Sequence, residues 1–174
     1  MSAWWILGFL LLQRGGELAL CRRNRRRLAL RGGTERFPES YPLMVALHAL
    51  WWLSLAVESH TWRIPPDERT LVCLAALVPV TALRYWSIVT LGEFWTTRIV
   101  VVPGSRRVRS GPYRYLRHPN YLAIVLEFLL FPLLLRAPIT LAAFSLANLL
   151  VLRHRIRLEE KALSETDDPG GRFP

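Results

Sequence analysis

The stretch NYLAIVLEFLLFPLLL (residues 120–135) is followed, after only Arg136 and Ala137, by PITLAAFSLANLLVL (138–152), and this pair decides the fold. Both runs are almost wholly apolar, yet each is shorter than the roughly 20 residues a helix needs to cross a bilayer. Their two-residue connector predicts a tight helical hairpin, crossing at a tilt or lying partly inside a bundle. Upstream lie three more apolar blocks, at 3–21, 41–57 and 70–91. The first has no basic segment ahead of it and no clean small-residue cleavage site, so it reads as a retained helix rather than a signal peptide. The expectation is an all-α integral membrane protein of about five spans. A single domain is expected over residues 1–163, and a polar, flexible tail over 164–174.

Composition agrees. The chain has 174 residues, 52% of them hydrophobic and 21% charged, with a formal net charge of +10. The length favours one domain, and the apolar content excludes disorder. Two cysteines, one inside a span and one at the end of another, exclude a disulfide scaffold and read as reduced packing residues. The arginines decide between a nucleic-acid binder and a membrane protein. They crowd the gaps after block one (Arg22, Arg23, Arg25, Arg26, Arg27), between blocks three and four (Arg98, Arg106, Arg107, Arg109, Arg114, Arg117) and after block five (Arg153, Arg155, Arg157). The other two gaps are balanced or nearly uncharged. That alternation follows the positive-inside rule, with the N-terminus outside and the C-terminus in the cytoplasm. It leaves no reason to expect nucleic-acid binding. The cluster after block one is expected to set topology and meet anionic lipid headgroups. Lys161 is the only lysine, which fits a GC-rich bacterium and therefore its inner membrane.

Ionisable residues within spans are costly and mark candidate functional positions. Arg14 and Glu17, three apart, can pair on one helix face. Arg84 can snorkel or face a polar cavity. His48 reads as a satisfied interior histidine. Glu127 stands inside AIVLEFLLF with no cation three or four residues away. It is therefore protonated, paired across helices, or facing a polar pocket. The densest chemistry is GPYRYLRHPNY (111–121) together with RIRLEE (155–160). Pro119 suits the first turn of a helix, placing Arg117 and His118 at its start. If the last two blocks form a hairpin, these two stretches meet at one level and surround an interfacial cavity with cations, carboxylates and aromatic faces. No metal-ligand spacing is present.

The stretches GPYRYLRHPNYLA (111–123) and RIRLEEKAL (155–163), joined by an apolar hairpin, resemble the isoprenylcysteine carboxyl methyltransferase family. These are integral membrane enzymes that use S-adenosylmethionine. The resemblance covers about residues 84–163. The upstream LGEFWTTR (91–98) and VVVPG (100–104) are most similar to a bacterial branch whose genes often lie beside type III polyketide synthases and whose members are thought to methylate alkylpyrone or alkylresorcinol hydroxyls. The resemblance implies cofactor contacts at Tyr113, His118, Tyr121 and Glu159, with Arg117 and Glu160 adjacent and a pocket on the cytoplasmic face. It departs from the family at Ala123, where glycine is common, and in a short tail without tyrosine. The chemistry fits: aromatic faces attract a sulfonium, a glutamate suits an ammonium or ribose hydroxyls, and Arg or His suits a carboxylate. Arg98 or Arg84 is expected to hold an anionic acceptor head. His118 or Glu127 is expected to serve as base where a phenolic hydroxyl must be deprotonated. The acceptor is expected to be lipophilic and to arrive from the bilayer. An NADPH-dependent reductase of sterol-reductase type and a non-catalytic membrane scaffold are the alternatives.

Overall fold

The computed structural model describes residues 3–59 and 63–167, with residues 3, 166 and 167 described by backbone alone. His60 and residues 168–174 of the expected tail lie outside the described residues. Five long helices account for most of the chain: α1 (Ala3–Leu30), α2 (Ser40–Glu58), α3 (Glu68–Leu91), α4 (Pro119–Leu134) and α5 (Pro138–Asp167). Among the described residues, three stretches are long and apolar enough to cross a membrane: Ser40–Glu58, Glu68–Phe94 and Pro138–Glu165. The apolar α4 is shorter, and α1 carries Arg14, Glu17 and an arginine-rich second half.

Local sequence explains where the helices stop and start. The arginines after residue 21 are good helix formers, so α1 continues through them, past the expected limit, to Leu30. It ends where Gly32 adopts a positive φ of 76° and the amide of Gly33 reaches back to the carbonyl of Leu28, at 2.8 Å. This left-handed cap favours glycine. Asp67 caps α3 by accepting a hydrogen bond from the amide of Thr70 (3.0 Å). Pro119 opens α4, and Pro138 opens α5. The first amides of α5 are capped from another helix: the Glu58 carboxylate at the end of α2 accepts from the amides of Ile139 and Thr140, both at 2.7 Å. Between α4 and α5 the amide of Ala137 bonds the carbonyl of Pro132 (2.8 Å), with Arg136 at φ 57° and paired with Asp67.

The helices pack α3 on α4, α4 on α5, and α5 on α2. The core between them centres on Trp51, stacked on Phe128 with ring centroids 4.4 Å apart, and on Phe131, Leu55, Leu134 and Leu152. One end of the bundle gathers Ser59, residues 63–67 and residues 135–137. The other gathers 31–39, 92–118 and the C-terminal part of α5, and is called the motif end here. There the chain adds a small element outside the all-α expectation, an antiparallel pair of β1 (Thr34–Glu35) and β2 (Val100–Val101). Segment 31–39 is thereby held against the 92–118 loop. α1 docks on the same loop through polar contacts: Asn24 Nδ2 donates to the carbonyls of Gly92 and Trp95, both at 2.9 Å.

Candidate functional site at the motif end

α4 and α5 run past each other so that the first turn of α4 meets the last turns of α5. His118 Nε2 lies 2.9 Å from Glu160 Oε1, and the Tyr121 hydroxyl donates to Glu159 Oε2 at 2.5 Å. The rings of His118 and Tyr121 lie nearly parallel, with centroids 5.4 Å apart. Arg107 Nη1, from the 92–118 loop, donates to Glu160 Oε2 at 2.9 Å. Thus the two motif stretches come together at one level.

Arg155, one turn before Glu159, completes the wall. It is 4% exposed. Its Nε donates to the Tyr121 hydroxyl (3.1 Å) and its Nη2 to the carbonyl of Thr97. Its Nη1 is buried and, among the described residues, has no hydrogen-bond partner; the same holds for Asn120 Oδ1. Unpaired buried polar atoms are uncommon and need an explanation. Tyr113 stands in the 3-10 turn Gly111–Arg114. Burial, with the nearby Glu159 charge, pushes its phenol well above the ordinary tyrosine value, so it is neutral at physiological pH. The turn depends on Gly111, whose φ is 53° and whose missing Cβ would lie 2.5 Å from Thr90 Oγ1.

These side chains face a cavity of about 1200 Å³. Tyr113, Arg117, His118, Tyr121, Glu159, Glu160 and Arg98 all line it, together with Arg155 and Asn120. Arg98 is also held by Glu35 (2.5 Å) and lies over the Tyr41 ring. On one side the wall is apolar and comes from Leu18 of α1 and from Met44, Val45, Ala49 and Trp52 of α2. Glu127, expected at the site, is absent from the wall. It is 3% exposed and accepts from both Arg14 and Arg84. Glu17 closes the network, accepting from Arg84 Nε (2.8 Å) and Nη2 (2.6 Å) and from Arg14 Nη1 (2.6 Å). Two guanidinium groups and two carboxylates from three helices thus form a neutral cluster, and Arg14, Glu17 and Arg84 are part of the cavity's wall. Glu127 lies nine residues beyond His118 on α4, about 14 Å deeper at a rise of 1.5 Å per residue. His48, bonded to the carbonyl of Met44 at 2.8 Å and edge-on to Phe128, lines the cavity as well.

Arg155, Asn120 and Arg107 escaped the residue-by-residue reading of the sequence. For Arg155 a signal existed: it precedes Glu159 by four residues and so shares its helix face. Cys21 and Cys73 are free and buried, as expected. No group of three or more potential metal ligands occurs among the described residues.

The fold and site together define an integral membrane protein whose helices enclose a large, arginine-rich cavity at one end. The profile of the isoprenylcysteine carboxyl methyltransferase (ICMT) family matches residues 71–165. The chain is 39% identical over 162 residues to the uncharacterized protein YpbQ of Bacillus subtilis (strain 168), covering 93% of this chain and 96% of that one. It is 28% identical over 149 residues to an uncharacterized protein of Haemophilus influenzae, covering 85% and 87%. The chain belongs to the isoprenylcysteine carboxyl methyltransferase family, and membership points to a membrane methyltransferase.

Proposed function

We propose that the protein is an S-adenosylmethionine-dependent O-methyltransferase acting on a lipophilic acceptor, with its cofactor held among Tyr113, His118, Tyr121, Glu159 and Glu160. The observation that carries this reading is the donor set of the cavity wall. Two aromatic faces and two carboxylates line one space together with Arg155 and Asn120, whose buried Nη1 and Oδ1 have no hydrogen-bond partner among the described residues. That set matches a ligand bearing a sulfonium, an ammonium, a carboxylate and ribose hydroxyls. The volume, about 1200 Å³, exceeds the roughly 300–1,000 Å³ of a pocket for one small ligand. A second molecule beside the cofactor therefore fits.

The bound cofactor supplies an electrophilic methyl group. The residues of this chain hold and orient. Tyr121, fixed by Glu159 and Arg155, presents its ring face beside that of His118. Glu159 and Glu160 bring negative charge to the same corner, and Arg155 offers its free N–H to an anionic group. Arg117 and Arg98 stand at the acceptor side, where a carboxylate or an acidic enol arrives already ionised. A resorcinol hydroxyl needs a base, and His118, tied to Glu160, is placed to accept its proton. Glu127 we assign to holding Arg14 and Arg84 in place rather than to proton transfer. Positioning supplies most of the rate enhancement in such an in-line displacement. The alkyl chain of the acceptor lies along the apolar wall of α1 and α2. Within this class an alkylpyrone or alkylresorcinol is favoured over a prenylcysteine, on the likeness of residues 91–104 to that bacterial branch, with a type III polyketide synthase as pathway neighbour. All five helices are taken to cross the bacterial plasma membrane, α4 and α5 as a hairpin, with the N-terminus outside and the motif end in the cytoplasm. The arginine alternation supports this orientation.

Arg106, Arg107 and Arg109 at the mouth are the one feature that favours an NADPH-dependent reductase, since arginines suit phosphate. Methyl-labelled S-adenosylmethionine incubated with purified protein and a panel of alkylpyrones, alkylresorcinols and prenylcysteines separates the readings. Label in the organic phase is expected, and is lost in His118→Ala. NADPH binding with no label transferred to any acceptor would move the assignment to a reductase.

A further inference from the structure

A second cavity, of about 350 Å³, lies between α4 and α5. Its sides are Leu122 and Val125 of α4 and Leu149, Leu152 and Ile156 of α5. Its upper rim carries Arg153 and Arg157. Leu122, Leu149 and both arginines are exposed. Four residues apart, the arginines stand one above the other on one helix face. Arg155, two residues from each, turns the opposite way into the main cavity. Neither Arg153 nor Arg157 has an acidic partner among the described residues, whereas Arg98, Arg107 and Arg84 each do. The pair therefore stands where the apolar part of α5 ends, which is the level of lipid headgroups in a spanning helix. Below the pair the groove is lined by apolar side chains. His118 and Tyr121 form its back wall as well as the wall of the main cavity.

We propose that this groove is a binding site for one anionic phospholipid, its phosphate held by Arg153 and Arg157 and one acyl chain lying along Leu122, Val125, Leu149 and Ile156. Charge complementarity chooses this occupant. Two unpaired guanidinium groups above an apolar trough match a molecule with a net negative headgroup and a hydrocarbon chain below it; the quaternary ammonium of a zwitterionic lipid offsets its phosphate and is repelled by the arginines, and a soluble anion lacks the chain. The site is independent of the methyltransferase reading and stands or falls separately from it.

Native mass spectrometry of the full-length protein, equilibrated with equal amounts of phosphatidylglycerol and phosphatidylcholine of the same acyl chains, tests it. One tightly retained phosphatidylglycerol is expected, preferred by about tenfold or more. Arg153→Gln with Arg157→Gln removes the preference. Val125→Trp fills the trough and displaces the lipid with both arginines intact, provided circular dichroism shows the helices retained. Arg22→Gln with Arg23→Gln, on the exposed end of α1, leaves the retained lipid in place. Glycerophosphoglycerol, which has the headgroup without the chains, does not compete. Equal retention of the two lipids overturns the proposal. So does a preference that survives the Arg153 and Arg157 changes, or one that follows the α1 arginines.

Discussion

Arg84 is 4% exposed and meets carboxylates from two other helices, Glu17 of α1 and Glu127 of α4. Removing one member of a buried ion cluster leaves charge uncompensated, which costs about 3–5 kcal/mol. Arg84→Met is accordingly expected to lower the unfolding free energy of the detergent-solubilised protein by that amount, read by denaturant titration. Combining it with Glu127→Gln, which restores neutrality, recovers part of the loss; a double variant no better than the single one would contradict the pairing. At the site, Gly111→Ala forces a side chain into left-handed backbone, at about 1–2 kcal/mol, and drives its Cβ against Thr90. It is expected to displace Tyr113 and weaken cofactor binding severalfold, read by titration calorimetry. The sequence exposed Glu127 as an anomaly because a lone carboxyl among leucines needs a partner. It did not expose which partner, since Arg14 and Arg84 lie 113 and 43 positions away. Tyr121 and Glu159, 38 apart, were legible through the paired motif stretches. Arg155 was obscured by the other arginines around it, whose directions only the helix fixes.

Among the elements, α3 shows how much one cap carries. The Thr70 amide, and after it Arg136, hold the half-buried Asp67 carboxyl below its ordinary value. Its pKa is therefore lower folded than unfolded. The stability it contributes is complete at neutral pH and is lost as pH falls below about 4 toward the folded value. Asp67→Asn keeps a cap that does not titrate. Thermal melts between pH 6 and pH 3 are expected to fall less steeply for this variant than for the parent; parallel curves would show that Asp67 does not carry the acid sensitivity. The sequence placed the start of α4 at Pro119 because proline suits the first turn, and the start of α5 at Pro138 because the apolar run resumes there. It placed the end of α1 too early because hydropathy, not helix propensity, was the signal used there. The pairing of Thr34 with Val101 and of Glu35 with Val100 joins residues 67 and 65 positions apart. It left no trace in patterns of two residues each.

Across the whole molecule, charge is partitioned by function. The formal +10 sits mainly at the motif end, where arginines line the cavity mouth and clothe the end of α1. The opposite end holds balanced pairs such as Arg136 with Asp67. Apolar blocks and arginine gaps made this division readable before any coordinates. The cavity itself was not readable, because it is enclosed by residues from α1 to α5 that only packing brings together. The central claim is that this cavity holds S-adenosylmethionine against His118, Tyr121 and Glu159. It is tested most directly by isothermal titration of the purified, folded protein with S-adenosylhomocysteine, alongside His118→Ala and Glu159→Ala. The account predicts micromolar binding to the parent and at least tenfold weaker binding to each variant, a loss of about 1.4 kcal/mol or more. Absence of binding to the folded parent, or equal binding by both variants, would contradict it.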